Sequence, residues 1–266
     1  MHLTRSTAKF DSLSIMNALY GMRKMNASYP VVRDLLTVLR VKFIECDDYF
    51  SPRELSKSLF GMACMSTEFE EVRAMVEVFT VKLNQSHEMF GALQIGNALN
   101  GLRSMNSEHK CVIDLVSALT AKVKQSTDML EHSHIAAALI GLQTMRSDDV
   151  EVRNMLSALE AKIITSTSVF DASSVSNALY GLTRMNMGHQ EVLNVLGALL
   201  PKVEQSTGIL LEPKISPVLL RLNITSREHE CTEVRAILSA VKKRVKKQAQ
   251  INGIKSHEEQ AVIMKE

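Results

Sequence analysis

The chain has 266 residues, of which 45% are hydrophobic and 5% aromatic, and its formal net charge is +2. This charge neither requires nor excludes a polyanionic partner. A membrane-spanning helix needs about 20 apolar residues, and no apolar run approaches that length. The four cysteines show neither C-x-x-C spacing nor a disulfide-dense pattern, which favours free thiols in a reducing compartment. We therefore expect a soluble protein with no membrane partner.

A repeated stretch organises the sequence. The stretch 17–22 (NALYGM) returns as 177–182 (NALYGL) and, slightly altered, as 97–102 (NALNGL). Aligning these stretches gives a period of 40 residues that runs through nearly the whole chain, which is typical of a repeat architecture. Six units follow from it, and each is opened by a large apolar residue: Phe10, Phe50, Phe90, Leu130, Phe170 and Leu210.

Residues 1–9 precede the first unit and resemble the end of another one. Residues 3–10 align with 123–130, where the fourth unit begins. We interpret 1–9 as the remnant of a preceding repeat, because the end of a solenoid normally carries a polar capping unit and none is visible here. The hypothesis is that repeats are missing upstream of Met1.

The first half of each unit predicts a helix, called helix A. Ile15, Leu19 and Met22 belong to an i, i+3, i+4, i+7 set of apolar residues. Ser51 predicts the helix start in the second unit, because a proline follows at the first helical position and an acid stands three residues after the cap. Asp11 is the corresponding cap of the first unit. Asp171 is the cap of the fifth unit. Polar turn residues predict helix ends near Met25, Met65, Met105, Met145 and Met185.

The second half of each unit predicts helix B, of about fourteen residues at a helical period. Its predicted starts are Val32, Val72, Val112, Val152 and Val192. Two helices per unit with short turns predict an all-α fold, a right-handed α-solenoid of six antiparallel helical hairpins of ~40 residues each over residues 10–250. We expect residues 251–266 to form a short C-terminal helix or tail.

A glycine recurs inside helix A, where it costs about 1 kcal/mol relative to alanine. We expect close approach of a neighbouring helix to offset this cost. The glycines are Gly21, Gly61, Gly101, Gly141 and Gly181. In the sixth unit Arg221 replaces the glycine, Pro213 is the predicted helix start, and Pro217 falls in the predicted helix interior. This degenerate unit is predicted to be the C-terminal cap of the array.

A column of lysines near the end of helix B is the clearest polar signal. One interpretation is that each lysine extends past the hydrophobic edge and complements the carbonyl end of the helix dipole. The other is a row of ammonium groups that follows a phosphate backbone. The lysine column consists of Lys42, Lys82, Lys122, Lys162 and Lys202.

Two further groups are candidate contacts for a partner. One position of helix A is occupied by Asn17, Lys57, Asn97 and Asn177. Asparagine is a poor helix former, so its side chain is expected to have a hydrogen-bond partner there, either in the next hairpin or in a bound ligand. A basic run in the last helix is either a solvated helix end, a nuclear signal or a nucleic-acid patch. The run contains Lys242, Lys243, Arg244, Lys246 and Lys247.

No constellation predicts an enzyme. The sequence lacks the phosphate-binding, zinc-protease and serine-hydrolase motifs, and no pair of carboxylates recurs in the repeat frame. His132 and His134 are two residues apart, which places them on different faces of a helix and disfavours a metal site. We expect no catalytic residue, no cofactor, no metal and no small-molecule substrate.

The stretches 50–62 (FSPRELSKSLFGM) and 177–182 resemble the first helix of octotricopeptide repeats and of the related heptatricopeptide repeats. The resemblance implies a non-enzymatic α-solenoid that binds RNA in mitochondria or plastids and acts in transcript maturation, stability or translation. The asparagines fall on the common pattern of that family, which favours a structural role for them. The turn 148–153 resembles HEAT repeats, whose solenoids mostly bind proteins.

The sequence therefore leaves two functions open. The first is a protein that holds single-stranded RNA along the lysine column and the basic C-terminal helix. The alternative is a protein-binding scaffold, including a ribosome-associated or effector-type adaptor, that uses its concave face. RNA binding requires the five lysines to share one surface and the affinity to fall steeply with salt.

Overall fold

The computed structural model describes residues 9–208, 210, 215–228 and 231–251, and of 227, 228 and 246–251 it describes the backbone alone. Over these residues the regular secondary structure is helical, apart from an isolated bridge between Asp171 and Thr207. The helices are α1 (Ser12–Gly21), α2 (Pro30–Glu45), α3 (Pro52–Gly61), α4 (Glu70–Gln85), α5 (Ala92–Asn100), α6 (Lys110–Gln125), α7 (His132–Gly141), α8 (Val150–Thr165), α9 (Ala172–Gly181), α10 (Gln190–Glu204), α11 (Ile215–Glu228) and α12 (Thr232–Ile251). The predicted all-α class is confirmed.

The helices are arranged in two rows. Each odd-numbered helix packs on the next odd-numbered helix, from α1 to α11, and each even-numbered helix packs on the next even-numbered helix, from α2 to α12. Contacts between the rows join neighbours in sequence, for example α1 with α2 and α3 with α4. Helices A and B of the sequence are therefore the odd and the even helices.

The core lies between the two rows and repeats from unit to unit. Phe43 of α2 contacts Phe50 and Phe79, with ring centroids 4.9 and 5.1 Å apart in edge-on geometry. Such edge-on pairs add to the stabilisation from burial. The residues that open units two to six are all buried, whereas Phe10 is half-buried. The repeat frame read from the sequence thus matches the positions that face the core.

The predicted starts of the odd helices are confirmed. Ser51 accepts a hydrogen bond from the backbone N–H of Glu54, whose carboxylate in turn accepts from the N–H of Ser51, so both halves of a capping box are present. Asp11 and Asp171 accept from the N–H three residues later. These side chains satisfy donors that the first turn of a helix leaves unpaired.

The predicted helix ends were wrong by several residues. The odd helices from α1 to α9 end at or next to the recurring glycine, and the chain continues in a tighter turn with hydrogen bonds of the i to i+3 type, such as the N–H of Met25 to the carbonyl of Met22. The apolar pattern continues into this turn because the counterparts of Met25 in units two to five are buried in the core, although Met25 itself is exposed, so the pattern alone overestimates the helix. The even helices begin about two residues earlier than predicted, for example at Pro30 rather than Val32.

The prediction that the glycines permit close helix approach is confirmed. A Cβ atom on Gly61 would collide with the carbonyl oxygen of Leu19, and one on Gly101 would collide with that of Leu59. Gly141 and Gly181 are placed in the same way against the preceding odd helix. Gly21, in the first odd helix, has nothing within 4 Å of its Cβ position. The odd row is therefore packed backbone against backbone.

The last unit departs from this packing. Helix α11 carries Arg221 in place of the glycine, and it contacts α9 less extensively than α9 contacts α7. Pro217 lies in α11, and residues 211–214, which directly precede Ile215, lie outside the described part of the chain. Pro213, residues 1–8 and residues 252–266 lie outside the described residues, and so do the predictions made for them.

Candidate partner-binding surface on the odd helices

The lysine column joins neighbouring even helices. The ammonium group of Lys82 donates to the carbonyl oxygen of Cys46 at 2.8 Å, and Cys46 is the residue that closes α2. Three more lysines make the same bond to the residue 36 positions earlier that closes the preceding even helix: Lys122 to Ser86, Lys162 to Ser126 and Lys202 to Ser166. Each of these lysines is thus a clamp between two consecutive units.

The chemistry of the clamp follows from the helix end. The last carbonyls of a helix lack intrahelical donors and carry the negative end of the dipole, so an ammonium group is a strong partner for them. The aliphatic stem of Lys122 is buried, and its ammonium group lies 5.9 Å from the centroid of the Phe90 ring. Burial lowers the pKa of the Lys122 ammonium group below its ordinary value of 10.5. The charge is enclosed by groups of the protein itself.

The two ends of the lysine column differ from the middle. Lys42 is half-buried and forms an ion pair with Glu45 at 3.4 Å, while the residue 36 positions before it lies outside the described residues. At the other end, Arg244 donates to the carbonyl of Gly208 at 3.0 Å, and Gly208 lies three residues beyond Gln205, which closes α10. Sequence reasoning placed Arg244 in a basic patch. Helix α12 begins 42 residues after α10, two more than the repeat period, so Arg244 falls on the repeat position of Lys202. This offset was the signal that could have identified a contact with the preceding unit.

The rest of the basic run is less constrained. Lys242 is half-buried and Lys243 is exposed in α12. The side chains of Lys246 and Lys247 lie outside the described residues. Among the side chains that the structure describes, the run therefore contains one arginine that bonds to the linker after α10 and one exposed ammonium group.

The solvent side of the odd helices is organised differently. Tyr20 of α1 and Phe60 of α3 occupy the same position of consecutive units, with ring centroids 6.1 Å apart. Two cations lie over the Tyr20 ring: the guanidinium carbon of Arg23 at 4.6 Å and the ammonium group of Lys57 at 5.7 Å from the centroid. Both rings are half-buried. Sequence analysis noted the aromatic only as part of a motif and did not connect it with the cations.

The asparagine column runs beside these rings. Asn17 is exposed, whereas Lys57, Asn97 and Asn177 are half-buried; a ring follows three residues later except after Asn97, where the residue is Asn100. Tyr180 continues the ring position in the fifth unit. The fold thus brings the asparagine column and the aromatic rings onto one surface. We call this surface the odd-helix face; it consists of the solvent side of α1, α3, α5, α7 and α9 with the three-residue turn that follows each helix.

Charge on the odd-helix face is almost entirely positive. In the odd helices from α1 to α9 and the turns that follow them, the one acidic residue is Glu54. Its carboxylate accepts hydrogen bonds from the backbone N–H of Ser51 and from the hydroxyl of Ser12. The basic residues of the same segments are Arg23, Lys24, Arg53, Lys57, Arg103 and Arg184. Arg103 donates to the Ala63 carbonyl. Few carboxylates compete for the remaining cations, so the face can attract an anionic chain.

Potential metal ligands and thiols are distributed as follows in the described part of the chain. No group of three or more His, Cys, Asp or Glu side chains is placed to hold a metal ion there. Burial raises the pKa values of the thiols of Cys46 and Cys111, which disfavours the thiolate form that reacts. None of the described helices combines the length and the hydropathy that crossing a membrane requires.

Comparison with known proteins does not assign the chain to a family. No protein-family model matches it, and no curated protein and no solved structure is significantly similar.

Proposed function

We propose that the six units stack as a right-handed α-solenoid of antiparallel hairpins and that its odd-helix face binds single-stranded RNA without catalysing a reaction. The role that fits the repeat resemblance is organellar gene expression, that is, transcript maturation, stability or translation in a mitochondrion or plastid. The proposed contact surface is the odd-helix face, because four of the five ammonium groups of the lysine column are bonded to carbonyl groups of the preceding unit.

The observation that carries the proposal is the cluster of Tyr20, Phe60, Arg23 and Lys57. Proteins that bind single strands combine aromatic rings, on which bases stack, with cations that contact the phosphates. The cluster supplies both within one pair of neighbouring helices. Neighbouring packed helices lie about 8–10 Å apart, so α1 and α3 offer contacts to successive parts of an extended strand.

The experiment compares two double variants of the whole chain. Binding of a fluorescent single-stranded RNA is measured over a series of salt concentrations for the wild type, for R23Q/K57Q and for K110Q/K124Q. Lys110 and Lys124 are exposed on the even helix α6 and serve as the matched control. For single strands the slope of log K against log salt decreases by about 0.7 for each phosphate that the protein no longer neutralises.

The expected result is a weaker affinity and a smaller salt slope for R23Q/K57Q, with K110Q/K124Q close to the wild type. Replacing Tyr20 with Leu keeps an apolar side chain but removes the ring, and should cost about 1–3 kcal/mol of binding if a base stacks there. Equal losses in both double variants, or no binding by the wild type at low salt, would reject RNA binding by this face.

A protein partner is the second candidate, and one row of exposed apolar side chains favours it. The row lies in the linkers from each even helix to the next odd helix, one residue before the buried residue that opens the unit. Its members are each at least half exposed: Tyr49, Met89, Met129 and Val169. Replacing Met89 and Met129 with Ser should abolish capture of a protein partner and leave RNA binding unchanged, and the opposite pattern would exclude this candidate.

A further inference from the structure

A basic cavity of about 350 Å³ lies at the C-terminal end of the odd row. Three arginines, two threonines and one asparagine line it, and no carboxylate is present among these described lining residues. The lining consists of Asn106, Thr144, Arg146, Thr183, Arg184 and Arg221. Its volume is at the small end of the range found for ligand pockets.

The departure of the last unit from the repeat accounts for the cavity. Gly181 allows α9 to pack directly against the backbone of α7, with no room for a Cβ atom. Arg221 stands at the equivalent position of α11, so α11 cannot approach α9 in this way. The resulting space receives a guanidinium group from the helix that created it. In the other units this position is a glycine, which permits close packing. In the sixth unit it is a charged residue that faces a cavity.

The charges in the cavity are incompletely compensated. Arg146 forms an ion pair with Glu108, and both side chains are about half exposed at the rim. Arg184 is exposed and has no ion pair with any described carboxylate. The Nε atom of Arg221 is buried with no hydrogen-bond partner among the described residues. A buried donor without a partner is costly and rare in folded proteins.

The other polar groups of the cavity are already engaged. The hydroxyl of Thr144 donates to the carbonyl of Met105 at 2.6 Å, and that of Thr183 donates to the carbonyl of Tyr180 at 2.8 Å. The side-chain amide of Asn106 donates to Glu108 at 3.1 Å. The available donors are therefore the guanidinium groups of Arg184 and Arg221, whose planar forks suit the oxygens of a phosphate group and can bind it in bidentate fashion.

We propose that the basic cavity binds a phosphate group between Arg184 and Arg221, with Arg146 at its rim. This inference stands on the cavity's own contacts and goes beyond the proposed function. The phosphate can be inorganic phosphate or the phosphate of a nucleic acid, since both present the same oxygens. A phosphate there supplies an acceptor for the unpaired Nε of Arg221 and reduces the repulsion between the guanidinium groups.

The test is calorimetric titration of the whole chain with inorganic phosphate, with acetate at equal ionic strength as the control anion. The wild type should bind phosphate at one site and acetate roughly tenfold more weakly or not at all, because a carboxylate carries less charge. R184Q and R221Q should each weaken phosphate binding by roughly tenfold or more. R53Q, which changes an exposed arginine far along the odd row, should bind like the wild type.

Two further measurements keep the proposal testable. R221K keeps the charge but lacks the fork, so it should bind phosphate more weakly than the wild type while its thermal melting stays unchanged in the absence of phosphate. A single-stranded RNA with a 5′-phosphate is compared with the same strand without one, to distinguish a nucleic-acid phosphate from inorganic phosphate. Phosphate binding without RNA binding leaves this site intact and rejects the proposed function alone. An absence of phosphate binding, or equal binding by R184Q and the wild type, overturns the proposal.

Discussion

The even helices carry a lysine at the same position of successive units, whereas the cations of the odd helices stand at different repeat positions, and the two sets have different environments. On the even helices the ammonium groups of Lys82, Lys122, Lys162 and Lys202 reach back to the carbonyl that closes the preceding helix. On the odd helices, Arg23 and Lys57 lie over an aromatic ring at the surface. A regular column of charge therefore does not by itself indicate a binding surface.

The ends of the helices also differ between the two rows. Each even helix from α2 to α8 ends in an extended residue, and its last carbonyls are open to a donor from the next unit. The odd helices end instead in turns whose N–H groups bond to the carbonyls of the last helical residues, as Met22 does with Leu19. Those carbonyls are satisfied locally. Cations beside these turns still bond to backbone carbonyls: Arg23 donates to Tyr20 at 3.3 Å and Arg103 donates to Ala63 at 3.1 Å.

The largest expected effect tests the backbone contact within the odd row. Gly101→Ala should lower the free energy of unfolding by about 3 kcal/mol or more, because the added Cβ meets the backbone of Leu59, which cannot move aside as a side chain can. Gly21 stands at the same repeat position but has no described neighbour at its Cβ position. Gly21→Ala should therefore raise the free energy of unfolding by up to about 1 kcal/mol, because alanine has the higher helix propensity. Denaturant unfolding of both variants measures the difference.

Equal effects of the two substitutions would contradict the close approach of α3 and α5. Alanine at position 21 also controls for any cost that arises within the helix itself. The comparison thus separates packing between units from the local preference of the helix, which a single glycine substitution cannot do.

Recurrent residues made much of this packing predictable from the sequence. A residue that returns at a fixed period meets an equivalent neighbour each time, so the cost of five helical glycines by itself indicated a shared contact. The buried residues that open the units were predictable for the same reason. Helix ends were not, because Met25 and its counterparts continue the apolar pattern whether the backbone is an α-helix or a tighter turn.

The acceptors of the lysine column could not be predicted in the same way. The partner of Lys82 is a backbone carbonyl of Cys46, and backbone atoms leave no trace in a pattern of side chains. The basic cavity was missed for a related reason. Replacement of the glycine by Arg221 was visible in the sequence, but the space that it creates depends on how closely the other odd helices pack.

The next effect concerns the clamp between even helices. Lys122→Met keeps the apolar stem of the side chain but leaves the carbonyl of Ser86 without this donor, and should lower the free energy of unfolding by about 1–3 kcal/mol. Lys124→Met, on the exposed side of the same helix, should change it by less than about 0.5 kcal/mol. Urea unfolding of the two variants checks the prediction. A stability of Lys122→Met equal to that of the wild type would mean that the clamp does not hold the units together.

The smallest effect concerns how the odd helices begin. Asp171 accepts from the backbone N–H of Ser174, whereas none of α2, α4, α6, α8 and α10 has a side-chain hydrogen bond at its N-cap. Asp171→Ala should therefore lower the free energy of unfolding by about 1 kcal/mol at neutral pH. Asp171→Asn should cost much less, since the amide oxygen can also accept the bond.

The two variants separate further in acid. The N–H of Ser174 holds the pKa of Asp171 below its ordinary value of 3.8 in the folded protein. The unfolded chain therefore binds the proton more readily, and the stability that the carboxylate contributes is present above pH 3.8 and is lost as the pH falls through the depressed pKa. The stability difference between the wild type and Asp171→Asn should decrease over that window, because asparagine does not titrate there. A difference that stays constant with pH would show that the charge of Asp171 contributes nothing to the cap and that its oxygen alone is sufficient.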